Sequence, residues 1–291
     1  MSKLFKTLVV IGLIGVAGVA SAAILPFFVQ INGELNNVQQ SVVFGNDDVA
    51  KTFTLENPIA GNTYEQGYNL KNRSEVIVPV ELETTTVEGI TTTYWSSVDL
   101  VSKNTEWETV DGAQGTLTYQ LIANKFNFEF EATGLVATTN YSLIYYADKS
   151  DRTVDWGGNN PGGLIATFTT DINGKILNAI GSENLNMNLA SGADANLEEY
   201  DYCDSDGYNL CHGAKVWLVQ TSNYNAGTKE VTTWDPDMFL FETDLITYSD
   251  VQVDGAALNL GTGTLNIIIR NVLDSALAPD TYPLTTTVNP R

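Results

Sequence analysis

Apolar and polar residues alternate with a period of two along much of the chain. Phe126, Phe128 and Phe130 alternate with polar residues, and Val76 to Leu82 repeat the pattern. Such alternation predicts strands with one buried face. Further runs rich in valine, isoleucine, threonine and aromatic residues are separated by Gly, Asn, Asp and Pro, as strands are by turns. The predicted strand regions are residues 74–87, 115–123, 126–135, 140–147, 163–176, 215–221, 263–272 and 281–288.

Helical patterns are scarce. The best candidate, residues 191–201, is short. The sequence therefore predicts an all-β protein, a β-sandwich of the jelly-roll or immunoglobulin-like kind.

The order of the runs predicts two sandwich domains, one of them discontinuous. Residues 246–291 supply three strands, which are too few for a sandwich of their own. We therefore expect residues 23–103 and 246–291 to form one sandwich. Residues 104–245 would be a second β-sandwich inserted at a loop tip, where insertions are tolerated. Two tandem domains with a break near residue 104 are the alternative.

The N-terminus matches a secretory signal peptide. An apolar run follows Lys3 and Lys6, and Ala20-Ser21-Ala22 fits the small-residue cleavage pattern. Removal of residues 1–22 predicts a secreted protein, extracellular or at the cell surface, with no membrane attachment after cleavage. Retention as a membrane anchor is the alternative, although the apolar run is short for a span.

The charge excludes several kinds of partner. The chain has 35 acidic and 14 basic residues and a formal net charge of −21. Cleavage would remove two lysines and no acidic residue, which makes the mature chain more negative still. Because phosphate recognition needs a basic patch, we expect neither nucleic acid nor anionic membrane as a partner.

Cys203 and Cys211 are the only cysteines. In an oxidising compartment two cysteines this close most simply form a local disulfide. Metal binding by both cysteines and His212 is the alternative, but the spacing does not match a zinc site. His212 is the only histidine and no nucleophile motif accompanies it, so we predict that the protein is not an enzyme.

Oxygen-bearing side chains gather in the loop at residues 201–209. Carboxylate and amide oxygens of this kind suit calcium, and no other cofactor is expected. The spacing does not fit an EF-hand, and a solvated turn is the alternative interpretation. The candidate ligands are Asp201, Asp204, Asp206 and Asn209.

The sequence raises two hypotheses about glycans, that the protein binds them and that it carries them. Trp107, Trp156 and Trp234 together with Trp217 could form a stacking platform for sugar rings, although Trp217 lies in an apolar strand region and is better placed in the core. Asn72-Arg73-Ser74 and Asn140-Tyr141-Ser142 are sequons, which makes Asn72 and Asn140 candidate glycosylation sites.

The mature chain would begin with an unusually apolar segment, Ala23 to Ile31. It either forms the first strand of its own domain or leaves that domain and adds as a strand to a neighbouring copy. Head-to-tail contacts that do not close into a ring give filaments. The candidate donor-strand residues are Ala23, Ile24, Leu25, Phe27, Phe28, Val29 and Ile31.

Three stretches carry a resemblance to a known group of proteins. "SAAILPFFVQINGELNNVQQSVVFGND", "TFTLENPIAGNTYEQGYNLKNRSEVIVPVELETT" and the closing "LAPDTYPLTTTVNP" resemble TasA/camelysin-type secreted fibre proteins and archaeal bundling pilins. The resemblance implies a jelly-roll-like subunit of an extracellular fibre, pilus or biofilm matrix. Such a subunit would polymerise with other copies by donor-strand complementation, with Ala23 to Ile31 as the donor.

The middle of the chain differs from a small fibre subunit. Residues 104–245 resemble accessory β-sandwich modules of cell-surface proteins. The alternative function is therefore a monomeric secreted binding module for a glycan or calcium. A secreted hydrolase is a more distant alternative.

Overall fold

The computed structural model describes residues 40–74, 78–146, 163–186, 188–189, 214–261, 263–274, 277 and 280–291. Ser41–Pro290 form one compact unit. The described residues contain 19 strands and one four-residue α-helix, α1 (Val251–Asp254). No helix within them is long and apolar enough to cross a membrane.

The strands cover most of the described chain. The first ten are β1 (Val42–Phe44), β2 (Ala50–Glu56), β3 (Thr63–Asn72), β4 (Val78–Thr84), β5 (Ile90–Lys103), β6 (Thr109–Gln120), β7 (Ile122–Ala123), β8 (Phe126–Thr133), β9 (Asn140–Tyr146) and β10 (Gly163–Thr169). The others are β11 (Ile176–Glu183), β12 (Lys215–Gln220), β13 (Tyr224–Asn225), β14 (Glu230–Val231), β15 (Leu240–Glu242), β16 (Ser249–Asp250), β17 (Leu258–Leu260), β18 (Gly263–Leu273) and β19 (Thr281–Pro290).

Two antiparallel sheets build the body of the molecule. One has four strands in the order β17–β4–β19–β2. The other has eleven strands and runs β1–β3–β18–β5–β15–β12–β9–β10, with β6, β8 and β11 added through β5. Small two-stranded pairs, β13–β14 and the parallel β16–β7, complete the described structure. The predicted all-β sandwich is confirmed.

The period-two pattern of β8 separates a buried face from a more exposed face, as predicted. Phe126, Phe128 and Phe130 are buried, while Asn127 and Glu129 lie on the other face. Burying three phenylalanines on one face contributes several kcal/mol, at about 2 kcal/mol for each side chain. This contribution fixes which face of the strand points into the core.

The long strand β5 connects the two predicted segments of the chain. Its first half pairs with β18. Near its end, Leu100 and Val101 pair with β6 on one side and with β15 on the other. The strands of residues 104–245 therefore continue the sheet begun by the outer strands, within one compact unit. The division into a discontinuous domain and an inserted one stays a prediction.

A second, smaller core lies on the outer face of β9, β12 and β15. Residues 221–239, which contain the β13–β14 hairpin and short 3-10 helices at Thr221–Asn223 and Pro236–Met238, supply part of it. Its buried members are Ile144, Trp217, Val219, Tyr224, Val231, Phe239 and Phe241. This core carries the aromatic surface described below.

Candidate functional site

One edge of the eleven-stranded sheet is only partly covered. Strand β3 pairs with β18 along its whole length, but β1 pairs only with Leu70, Lys71 and Asn72 at its end. Beyond β1, the Gly45 N–H donates to the Asn69 carbonyl oxygen at 2.8 Å. Among the described residues, Thr63–Tyr68 has no strand partner on this side. We call this segment the β3 edge.

The alternation of a strand identifies the backbone groups that point outward from the β3 edge. The Asn69 carbonyl faces β1, so the N–H and C=O groups of Gly67 and Glu65 face the same side. Gly67 has no side chain, and a Cβ placed there would have the Ile267 carbonyl oxygen, at 4.0 Å, as its nearest neighbour. A second backbone can therefore approach closely at this position.

Proteins usually protect such edges with proline, lysine or a bulge. The β3 edge contains neither proline nor lysine, and Glu65, its one charged residue, is ion-paired with Arg270 of β18. Arg270 also donates two hydrogen bonds to Glu129, at 2.6 and 3.0 Å. At another edge of the branched sheet, by contrast, β10 has a bulge between Leu164 and Ala166. The β3 edge is thus less protected than the β10 edge.

Partly buried aromatic side chains lie on β2 and β3, near one end of each sheet. Strand β2, at the end of the four-stranded sheet, pairs only with β19 among the described strands, and β1 contacts β2 across the sandwich. Phe53 of β2 and Tyr64 and Tyr68 of β3 are only partly buried, although all three pack against core residues. We call these three residues the edge aromatics.

The two tyrosines of the edge aromatics have defined contacts. The Ile59 N–H donates to the Tyr64 hydroxyl at 2.9 Å, and the Tyr68 ring packs edge-on against Phe44 with centroids 5.7 Å apart. Burial raises the pKa of the Tyr68 hydroxyl, an effect that Lys51 partly offsets. Tyr68 is therefore neutral at physiological pH and presents an uncharged surface.

Many predicted site residues lie outside the described part of the chain. This applies to the donor segment, both cysteines, the calcium loop, His212 and Trp156. The donor strand, the disulfide and the calcium site therefore stay predictions. In the described residues, no group of three or more His, Cys, Asp or Glu side chains could hold a metal ion.

The two sequons differ in their surroundings. Asn72 is only 3% exposed, and its Nδ2 donates to the Leu260 carbonyl oxygen at 3.0 Å. Its Oδ1 accepts hydrogen bonds from the N–H and hydroxyl of Ser74. A glycan would attach to that nitrogen, and the glycosylation of Asn72 stays a prediction. Asn140 is exposed at the start of β9, and its glycosylation stays a prediction.

The structure brings together three of the four tryptophans singled out in the sequence. Trp217 is 5% exposed, which confirms its assignment to the core, whereas Trp107 and Trp234 are each 49% exposed. The ring of Trp234 lies 5.7 Å from that of Trp107 and 5.7 Å from that of Trp217. Phe239 and Phe241 also contact Trp234. We call these five residues the tryptophan cluster.

A cation and a carboxylate border the tryptophan cluster. Lys103 Nζ lies 5.4 Å from the Trp107 ring centroid and 5.8 Å from that of Phe241. Beside Phe241, Glu242 accepts a hydrogen bond from the Val216 N–H at 3.1 Å. Desolvation raises the pKa of Glu242 to about 7, while Lys215 and Lys103 act in the opposite direction. Sequence reasoning missed Lys103 and Glu242, because no local motif marks either.

Comparison with known proteins adds no relative to these observations. No family model matches the chain, and no curated protein matches it.

Proposed function

We propose that the protein is a secreted structural subunit of an extracellular fibre or pilus. The mature N-terminal strand of one copy, Ala23 to Ile31, adds to the β3 edge of the next copy, and the repeated contact builds a filament. The observation that supports this proposal is the uncovered β3 edge, which includes Gly67 and has neither proline nor lysine.

The lengths of donor and acceptor are compatible. Six residues of the β3 edge span about 20 Å, and the nine residues of the donor span about 30 Å when extended. The donor therefore covers the whole edge and leaves a short connection to its own domain.

The chemistry of the two surfaces is also complementary. An added strand would pair with the outward N–H and C=O groups of Glu65 and Gly67, which supply affinity largely independent of side chains. Alternate apolar side chains of the donor would pack against the edge aromatics, Phe53, Tyr64 and Tyr68, and supply specificity. A head-to-tail contact of this kind builds a filament when the rotation between copies does not close into a ring.

Export controls this assembly in the proposal. Residues 1–22 precede the donor, and their removal would free its N-terminus only outside the cell. The oxidising environment there would also allow Cys203 and Cys211 to form their disulfide. Intact-mass measurement of the secreted protein under non-reducing conditions should show the loss of two hydrogens, and two free thiols would remove the disulfide from the proposal.

The direct test compares the mature chain with a variant that lacks Ala23 to Ile31. Electron microscopy should show filaments for the mature chain and only monomers for the truncated chain. A synthetic peptide of residues 23–31 should bind the truncated chain saturably, whereas a scrambled peptide should not. Filaments formed by the truncated chain, or equal binding of both peptides, would refute the proposal.

A further inference from the structure

We infer that the tryptophan cluster is a binding site for a neutral glycan, with a hexopyranose ring stacked on the exposed faces of Trp107 and Trp234. This inference does not rest on fibre assembly, because none of the residues concerned belongs to the β3 edge or the donor segment.

Trp107 occupies an uncommon backbone conformation. Its φ is +66°, in the left-handed region that large side chains rarely adopt. The turn that holds it depends on Asn104, whose carbonyl accepts a hydrogen bond from the Trp107 N–H at 3.0 Å. The Asn104 side-chain oxygen accepts from the Glu106 and Glu108 N–H groups at 3.1 and 2.8 Å. Backbone strain that the surroundings maintain is characteristic of functional positions.

Trp234 packs against buried aromatic residues, while about half of its surface is exposed. Its ring packs edge-to-face on Trp217, at an interplanar angle of 60°, and on Phe239, at 82°. Trp217 is itself part of the buried second core. The two exposed indoles are tilted by 37° to each other. Together they form a shallow, preorganised aromatic surface that keeps its shape without a ligand.

The surroundings of this surface select the ligand class. Trp107 is flanked by the exposed carboxylates of Glu106 and Glu108, and the exposed Asp237 lies near Trp234 in the chain. Carboxylates accept hydrogen bonds from sugar hydroxyls and repel polyanions. Carbohydrate C–H groups supply the apolar face that stacks on an indole ring. A neutral sugar meets both requirements, and an acidic polysaccharide does not.

Lys103 supplies the complementary donor. Its Nζ lies against the Trp107 and Phe241 rings, and no described carboxylate lies within ion-pair distance of it. Its N–H groups are therefore available to a sugar hydroxyl or ring oxygen at the rim of the aromatic surface. Lys103 also borders a cleft of about 250 Å³ whose lining includes Asp111, Val136, Asp237 and Phe239. This cleft provides room for a second sugar unit beside the stacked ring.

The test is calorimetric titration of the mature chain with cellohexaose, maltohexaose, mannohexaose and chitohexaose, with polygalacturonate as an acidic comparison. At least one neutral hexasaccharide should bind saturably. Trp107→Ala and Trp234→Ala should each weaken that binding by about tenfold or more, as is typical for an aromatic hot spot. Ile180→Ala is the matched control, since Ile180 is 82% exposed on β11 and outside the cluster; it should bind as the wild type does.

Several outcomes would overturn this inference. Absence of binding to all four neutral sugars at about 10 mM, a concentration that detects even weak sites, would do so. So would preferential binding of polygalacturonate, or unchanged affinity in both tryptophan variants. Thermal unfolding of each variant should match the wild type closely enough that a loss of binding cannot be assigned to unfolding.

Discussion

The β3 edge and the tryptophan cluster are both exposed surfaces, but the first exposes backbone groups and the second exposes aromatic side chains. At the β3 edge, the backbone groups of Glu65 and Gly67 point away from β18 and have no strand partner among the described residues. In the tryptophan cluster the backbone of the Trp107 turn is hydrogen-bonded, and the side chains of Trp107 and Trp234 are exposed instead.

This difference separates two modes of recognition. Backbone pairing supplies affinity and alternate side chains select the segment, so strand addition suits a repeated contact between identical copies. An aromatic surface distinguishes ligands by shape and polarity, and it suits a small molecule. In the two proposals, the β3 edge would serve assembly and the tryptophan cluster would bind a ligand.

The largest expected effect comes from Gly67→Pro. Proline removes the N–H that faces outward from the β3 edge and leaves the β18 ladder intact, because that N–H does not point toward β18. Filament formation should fall below detection by electron microscopy, while hexasaccharide binding stays unchanged.

Gly67→Ala is the control for that experiment. It keeps the N–H, and a Cβ has space there, since its nearest neighbour would be 4.0 Å away. It should form filaments as the wild type does. Normal filaments from a folded Gly67→Pro variant would show that assembly does not use this edge.

Trp217→Ala should have the next largest effect, on the stability of the second core. Replacing a buried tryptophan by alanine typically costs about 3–5 kcal/mol in the free energy of unfolding. Trp234→Ala should cost far less, because half of its surface is already exposed. Guanidinium titration of both variants measures the difference, and equal losses would contradict the distinction between a supporting and a ligand-facing tryptophan.

The strands were the most predictable part of this fold. Alternation at Phe126, Phe128 and Phe130 is local, and the period alone identifies the buried face of β8. The pairing of β5 with β18 and β15 could not be predicted, because register between strands far apart in sequence leaves no local signal.

The candidate sites were predictable only in part. The apolar flanks of Trp217 indicated its burial, but the contact between Trp107 and Trp234 joins distant turns and depends on the whole fold. The β3 edge is uncovered because β1 is only three residues long. That length is set by the tight turn after Phe44, in which Asp47 has a φ of +68°. A sequence pattern does not show which strands end early.

Stability should depend on pH through Glu242, which follows Phe241 in β15. Its pKa is raised from 4.5 to about 7 by burial, so the folded chain holds this proton more tightly than the unfolded chain. The resulting stabilisation is fully present below about pH 4.5 and is lost as the pH rises through 7. Its full size is about 3 kcal/mol.

The comparison with Glu242→Gln isolates this effect. Glutamine can still accept the Val216 hydrogen bond but does not titrate. The difference in unfolding free energy between wild type and Glu242→Gln should therefore change by about 2 kcal/mol between pH 5 and 8. Exposed Glu106→Gln should show no comparable change. A difference that is constant with pH would contradict the assignment.

The smallest expected effect is that of Asn104→Ala, which tests whether the turn positions Trp107. The substitution removes the oxygen that accepts from the Glu106 and Glu108 N–H groups. We expect a loss of about 1 kcal/mol in stability and a severalfold weaker affinity for the bound hexasaccharide. Asn104→Asp keeps that oxygen and should keep most of the affinity. If Asn104→Ala lowers stability without changing affinity, Trp107 does not need its left-handed conformation to bind the sugar, and the strain at this turn has only a structural role.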